Sequence, residues 1–303
     1  MKRILICGSN GLLGQRLALM LGHETEYEVL NTSYHRSFVL DNHFFDYPQL
    51  DVTNKSDVKS LITSFRPDII INGAAMTNVD ACETQRELAW KVNVMGVENL
   101  VEVSRRIACT LFHLSTDYVF DGKNGPYKES DRVNPINYYG KTKLAGENVI
   151  LAGGISSTII RTIVVYGTGI NVKNNFALWV VNRLRAGEAI RCVDDQIANP
   201  THVSDLSAGI LKAIERERTG LYHICGADAV SRYEFAMKAA EVFGLDASLI
   251  ERVTSDTFRQ TAPRPMMTGF ITLKAQSELD FHPMTATEGL ETLKRELQHL
   301  TLN

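Results

Sequence analysis

Tyr139 and Lys143 stand four residues apart in the string Tyr139-Gly140-Lys141-Thr142-Lys143, a spacing that puts both side chains on one face of a helix. A phenol with an ordinary pKa of about 10 exchanges protons poorly at neutral pH, and an ammonium beside it favours the ionised form and brings it nearer the working range. Such a pair can give a proton to a carbonyl oxygen while hydride reaches the carbon. The same spacing is common on ordinary helix surfaces, so its meaning depends on its surroundings. Ser115-Thr116-Asp117 closes a mainly apolar run from Thr110 to Leu114. It places a hydroxyl at the carboxyl end of a predicted parallel strand, where open α/β sheets bind ligands. Thr116 either orients a substrate carbonyl beside Tyr139 or caps a turn. Asn93, inside a predicted helix from Arg86, either holds a water or the helix geometry near Lys143, or is a backbone partner.

A second constellation lies at the amino terminus, in Cys7-Gly8-Ser9-Asn10-Gly11-Leu12-Leu13-Gly14. Between a strand and a helix, the first glycine permits a tight turn, the second lets a pyrophosphate approach the backbone, and the third lets helix and strand pack closely. The helix start adds unpaired N–H groups and partial positive charge. Gly8, Asn10, Gly11, Leu12, Leu13 and Gly14 are therefore candidate contacts of a nicotinamide dinucleotide. An acidic residue for a ribose 2′-hydroxyl is expected about 20 residues on, but the chain there reads Leu30-Asn31-Thr32-Ser33-Tyr34-His35-Arg36. A guanidinium among hydroxyls suits a 2′-phosphate, which points to NADP(H), with NAD(H) the alternative. His35 and Arg36 are its candidates, and a solvated loop cation is the plain reading of Arg36. Asp51 and Val52, at the end of a predicted third strand, either meet the adenine edge or only end that strand.

These groups need a scaffold, and short apolar runs alternating with segments of helical period predict βαβ units and a doubly wound parallel sheet. The predicted strands are Arg3 to Cys7, Glu28 to Asn31, Gln49 to Val52, Asp68 to Asn72, Thr110 to Ser115, Ser157 to Ile163 and Leu221 to Cys225. The predicted helices are Leu12 to Leu21, Lys55 to Phe65, Arg86 to Ile107, Tyr138 to Leu151, Phe176 to Leu184 and Ser204 to Arg216. Two more, Ser231 to Phe243 and Thr285 to Leu297, open with capping boxes, Ser231 with Glu234 and Thr285 with Glu288. We therefore expect a Rossmann-type α/β fold: a dinucleotide-binding domain from residues 1–163 and 196–226, and a smaller, mostly helical substrate lobe from 164–195 and 227–303.

Composition narrows the function classes. A chain of 303 residues with 44% hydrophobic and 22% charged residues is ordinary for a folded globular protein. A formal net charge of -3 lacks the basic excess of a nucleic-acid binder. Five scattered cysteines, Cys7, Cys82, Cys109, Cys192 and Cys225, form neither a disulfide framework nor a metal pair; buried free thiols and no metal are expected. The apolar run after Met1-Lys2-Arg3 stops at Gly8, too short for an export signal, and no run approaches a membrane span. A cytoplasmic protein with neither membrane nor nucleic-acid partner is expected.

The chain resembles the extended short-chain dehydrogenase/reductases, and among them the dTDP-4-dehydrorhamnose reductase family. The likeness is carried by the glycine turn, Asn72-Gly73-Ala74-Ala75, Val92-Asn93, Ser115-Thr116-Asp117-Tyr118-Val119-Phe120-Asp121-Gly122 and Tyr139-Gly140-Lys141-Thr142-Lys143-Leu144-Ala145-Gly146-Glu147. It continues through Arg161-Thr162, Tyr166-Gly167, Asp195-Gln196, Pro200-Thr201 and Arg264-Pro265, across nearly the whole chain. The resemblance implies a catalytic triad in which Tyr139 is the general acid, Lys143 binds the nicotinamide ribose and tunes Tyr139, and Thr116 holds the keto oxygen. It implies cofactor contacts at Ala74, Ala75 and Asn93, and a sugar-nucleotide substrate near Thr116, Asp117, Tyr139, Asn175, Gln196 and Arg264, with a planar guanidinium on the diphosphate. It leaves a homodimer open.

Two departures stand out: Ile163-Val164 replaces the family's usual Ser-Trp after Arg-Thr, and Ile197-Ala198-Asn199 separates Gln196 from Pro200 where the family has a glycine. The substrate is therefore expected to be a 4-keto-6-deoxy sugar nucleotide whose sugar can differ from the family's usual one. The alternatives are a non-catalytic NADP-binding subunit resembling the regulatory subunit of methionine adenosyltransferase, and a sugar-nucleotide epimerase. The regulatory family reads Ser-Ser-Asp where this chain has Thr116, which favours reduction. Tyr118 stands where dehydratases carry Glu, which argues against dehydration.

Overall fold

A parallel strand covered on both faces has no side to offer water, and the buried run Ile69–Asn72 shows this. The computed structural model describes residues 1–22, 24–40, 47–258 and 260–301. The chain begins β1 (Lys2–Cys7), α1 (Leu12–Gly22), β2 (Tyr27–Thr32), α2 (Lys55–Phe65) and β3 (Ile69–Asn72). It continues α3 (Val79–Thr84), α4 (Arg86–Trp90), α5 (Gly96–Ile107), β4 (Thr110–Thr116), α6 (Tyr138–Gly153) and β5 (Ser157–Thr162). Then come β6 (Val165–Tyr166), α7 (Phe176–Arg185), β7 (Ile190–Val193), β8 (Ile197–Ala198), β9 (Thr201–His202), α8 (Val203–Glu215) and β10 (Gly220–His223). The chain ends β11 (Val230–Ser231), α9 (Arg232–Phe243), β12 (Ile250–Val253), α10 (Leu273–Leu279) and α11 (Ala286–Thr301).

Six strands form one sheet in the order β10-β5-β4-β3-β1-β2, and every pairing in it is parallel. This is the doubly wound α/β fold expected from the alternation of elements. Leu17 and Leu21 of α1, Leu206 and Ile210 of α8 and Leu279 of α10 cover one face, against Ile4, Ile6 and Ile71. Val58 and Ile62 of α2, Leu100 and Val101 of α5 and Ile150 of α6 cover the other, against Leu5, Ile70 and Leu111. The strand order reverses between β1 and β3, which opens a crevice at their carboxyl ends.

The expected strand Gln49 to Val52 is not in the sheet. It makes one parallel bridge, Ser33 to Gln49, because it meets the edge just past the end of β2 and then turns inward, burying Leu50 and Val52 among α2 and α5. The expected helix Arg86 to Ile107 is continuous but carries a π-helical turn at Lys91–Met95 between α4 and α5. Around α7, α9 and α11 a separate core forms from Tyr166, Val180, Phe235, Leu290 and Leu293. Three two-stranded ladders, β11-β8, β12-β7 and β6-β9, accompany it; strands of two to four residues carry too little periodicity to be seen in sequence. Both capping boxes form, Ser231 with Glu234 and Thr285 with Glu288. The five cysteines are buried and free. Among the described residues no helix is long and apolar enough to cross a membrane.

Glu296 of α11 ties this second core to the sheet. It pairs with Arg16 of α1, accepts from Thr168 Oγ1 at 2.7 Å and lies 3.6 Å from His202 Nε2. Burial alone would lift its carboxyl, but His202, Thr168 and Arg16 outweigh that and hold it at about 2, below the usual 4.5. A folded pKa below the unfolded one stabilises the fold above pH 4.5, and that contribution fades as pH falls toward 2. Glu296→Gln is therefore expected to cost about 1–3 kcal/mol at neutral pH, the worth of hydrogen bonds to a charged group, and to flatten the acid limb. Denaturant unfolding at pH 7 and at pH 3 checks this; an equal loss at both values contradicts it.

Candidate active site

Gly8 ends β1 at φ +85°, and a Cβ there would meet Ala74 N at 2.9 Å. A Cβ on Gly14 would lie 2.4 Å from Gly8 O and from Ser9 Cα. Backbone thus packs so closely on backbone that neither position takes a side chain, at the start of α1 and at the point where strand order reverses. Gly73 N donates to Cys7 O at 2.9 Å, which sets Ala74 and Ala75 across from Gly8. Asn10 spends its amide on the neighbouring loop, donating to Ser37 O at 2.9 Å and accepting from Val39 N at 3.1 Å. These bonds hold the loop with His35 and Arg36, both exposed, alongside the turn. The side-chain-free turn at a helix start and the cation beside it fit a dinucleotide with a phosphorylated ribose. Asp51 instead accepts from Thr53 N and Oγ1 at 2.9 and 2.8 Å, a turn role, and Val52 is buried.

At the carboxyl end of β4, Thr116 Oγ1 donates to Asp117 Oδ1 at 2.9 Å and accepts from Tyr118 N at 3.2 Å. Helix α6 starts beside it, its first turn fixed by Asn137 Oδ1, which accepts from Gly140 N at 2.8 Å. That start presents Tyr139 and Lys143 toward the strand end, with Tyr118 edge-on to Tyr139 at 5.9 Å between ring centroids. Asn93, in the π-helical turn, accepts from Met76 N at 2.8 Å and donates to Met76 O and Thr142 Oγ1 at 3.1 and 3.0 Å. Its whole amide thus goes to joining the loop after β3 to α6. π-Helical turns recur at functional sites because they re-aim single side chains.

Lys143 is buried, with Nζ 3.3 Å from His113 Nε2; His113 Nδ1 lies 3.1 Å from Asn72 Nδ2. One turn on, Glu147 accepts from Arg161 Nε and Nη2 at 2.9 and 2.7 Å and from the Ser115 hydroxyl. Burial lowers Lys143 to about 8 against the pull of Glu147. Burial also raises Tyr139 above its ordinary value, with the Thr116 hydroxyl offsetting part of the rise. The sequence led us to expect an ammonium easing the phenol toward ionisation; here the phenol is held protonated, the state a proton donor needs.

The other groups expected to meet substrate are held in different ways. Burial pushes Asp117 to about 6, although Thr268, Thr116 and Arg232 favour its carboxylate. Arg264 donates to Asp80 Oδ2 at 2.8 Å and to Ala262 O at 3.0 Å. The Gln196 side chain has a buried Nε2 with no partner among the described residues. Asn175 is spent on α7: it accepts from Leu178 N at 3.2 Å and donates to Gly167 O at 2.8 Å. Arg232, which the sequence did not single out, opens α9 with its guanidinium 4.7 Å from the Phe176 ring centre. Its charge and that of Arg264 both act on Tyr118, so two guanidinium groups lie within electrostatic reach of the ring beside Tyr139. An arginine at the first position of a helix gives no local sign of this; only the packing of the lobe does. Val164, in the stretch that departs from the family pattern, has φ 42°, a region a β-branched residue resists.

The profile of the RmlD substrate binding domain matches residues 1–299. The chain is 34% identical over 306 residues to a dTDP-4-dehydrorhamnose reductase of Aggregatibacter actinomycetemcomitans, across 97% of this chain and 99% of that one. It superposes on the crystal structure of dTDP-4-dehydrorhamnose reductase from Bacillus anthracis in complex with NADP, with a TM-score of 0.88, 33% identity, and coverage of 98% of this chain and 100% of that one. It is also 33% identical over 270 residues to methionine adenosyltransferase 2 subunit beta of Xenopus laevis, across 87% of this chain and 78% of that one.

Proposed function

The chain belongs to the RmlD substrate binding domain family, and from that premise we propose that it reduces a 4-keto-6-deoxy sugar nucleotide with NADPH, NADH being the alternative donor. The observation that carries the reading is the convergence of Thr116, Tyr139 and Lys143 at the end of β4, on the sheet whose first strand leads into the glycine turn. NADPH, when bound, supplies the hydride. Tyr139, kept protonated by burial, gives its phenolic proton to the C4 oxygen, and the Thr116 hydroxyl next to it orients that oxygen. Lys143 lies on the same helix face and serves the nicotinamide ribose, while His35 and Arg36 serve the 2′-phosphate. Arg264 and Arg232 suit the substrate diphosphate, whose oxygens accept paired N–H bonds, and Gln196 Nε2 suits the sugar. Residues 1–163 and 196–226 then hold the dinucleotide, and 164–195 and 227–303 the sugar nucleotide.

A second reading, a non-catalytic dinucleotide-binding subunit, draws on the likeness to methionine adenosyltransferase 2 subunit beta. Mixing the protein with NADPH and a dTDP-4-keto-6-deoxyhexose separates the readings. Loss of NADPH absorbance with formation of the 4-hydroxy sugar is expected. Tight NADPH binding with no turnover across several such sugars favours the regulatory role, and isomerised substrate without NADPH consumption favours an epimerase.

A further inference from the structure

The side chain of Asn72 can face His113 in one way only. Its Oδ1 accepts from Ala74 N at 3.1 Å, so the NH2 group is the end turned to His113 Nδ1, 3.1 Å away. An NH2 group there offers hydrogens and no lone pair, and Nδ1 must therefore carry the lone pair. A neutral imidazole has one proton, which this contact leaves on Nε2; an imidazolium would set N–H against N–H. Burial and the neighbouring Lys143 hold His113 well below its usual pKa, in keeping with a neutral ring. Nε2 then points its hydrogen at Lys143 Nζ, 3.3 Å away. An ammonium has no lone pair to receive it, whereas an amine does.

We propose that His113 is a positioning residue for Lys143: Asn72 fixes its proton on Nε2, and that N–H, aimed at Nζ, disfavours the ammonium form of the lysine in the cofactor-free protein. The device depends on register, since Asn72 of β3 and His113 of β4 are direct cross-strand partners. Glu147 on α6 itself opposes it, favouring the ammonium, but that carboxylate is bound by Arg161 of β5 and Ser115 of β4. The charges on the other elements around α6 are engaged elsewhere or face water. Asp80 and Glu83 of α3 bind Arg264 and Arg86, and Glu102 of α5 binds Lys55 and Arg106. Arg86, Glu87, Lys91, Glu98, Arg105 and Arg106 are exposed. Asp117, after β4, accepts from Thr116, and Tyr139 precedes Lys143 by one turn.

The catalytic meaning rests on the reading of Tyr139 and Lys143 as the reacting pair, but the tautomer does not. In cofactor-free protein labelled with 15N-histidine, His113, assigned through His113→Gln, is expected as the Nε2–H tautomer from pH 6 to 8; an Nδ1–H tautomer or an imidazolium overturns the inference. Asn72→Asp puts an acceptor-only group at Nδ1, draws the proton there and gives an ammonium a lone pair at Nε2. The Lys143 pKa, followed by 13Cε-lysine NMR and assigned with Lys143→Arg, should rise by about 1–3 units. The basic limb of kcat/KM, which reports the free enzyme, should move up with it. An unmoved lysine overturns the inference. A protein with the expected tautomer and lysine shift but no sugar-nucleotide turnover keeps the inference and removes the reductase reading. If Asn72→Asp does not fold, the wild-type tautomer and the wild-type Lys143 titration decide.

Discussion

Tyr139→Phe is expected to lower kcat by about 10²–10⁴-fold, the usual contribution of a positioned proton donor, while dinucleotide binding stays near wild type. The substitution removes only the phenolic oxygen. The ring keeps its edge contact with Tyr118, Asn137 still caps the first turn of α6, and neither the glycine turn nor Lys143 is touched. Thr116 remains to orient the keto oxygen, but its hydroxyl is a far weaker acid than a phenol. The loss should therefore appear in kcat more than in KM. Steady-state rates with NADPH and the sugar nucleotide, set beside a fluorescence titration of NADPH, check this. A kcat comparable with wild type would remove Tyr139 from the proposed chemistry.

Removing one partner of the Arg161–Glu147 pair should produce the largest loss of stability. Both side chains are almost wholly buried, 4% and 2% exposed, with Nη2 2.7 Å from Oε2. Arg161 Nε also donates to Glu147 at 2.9 Å, and its guanidinium stacks 5.2 Å from the Phe120 ring centre. Arg161→Met keeps most of the apolar stem and leaves the Glu147 carboxylate uncompensated, which typically costs about 3–5 kcal/mol. The double variant Arg161→Met/Glu147→Met removes both charges and should recover much of that loss, because desolvating an ion pair offsets most of its attraction. Denaturant unfolding of the wild type, both single variants and the double variant forms the cycle. Additive losses would show that the two side chains stabilise the fold separately.

What could be read in the sequence was mostly what is local. The glycine turn follows from spacing alone, and the six sheet strands from apolar runs between helical segments. The Tyr139–Lys143 face follows from the helical period, and both capping boxes from a four-residue pattern. Gln49 to Val52 was over-read because Leu50 and Val52 are buried for a different reason, packing under α2 and α5. Asn175 carried a functional expectation, yet its amide closes the first turn of α7. The partners of Lys143 were invisible for the opposite reason. Asn72 and His113 lie 41 residues apart and meet only once β3 and β4 pair in a given register. Arg232 comes near Tyr118 only after α9 docks on α7, a contact no window of sequence contains.

The π-helical turn at Lys91–Met95 has a consequence for how this chain can change length. It accommodates one residue more than an α-helical turn would, so the apolar stripes of α4 and α5 run out of phase with each other. Deleting a single residue within it would leave an ordinary α-helical turn with α4 and α5 on their present faces, whereas the same deletion elsewhere in the helix would swing everything beyond it by about 100°, one residue's share of a 3.6-residue turn. Asn93 would then lose its place at the Met76 loop, while Leu100 and Val101 would stay against the sheet. The segment is thus where this helix can shed a residue without turning its faces; elsewhere it tolerates change only in whole turns.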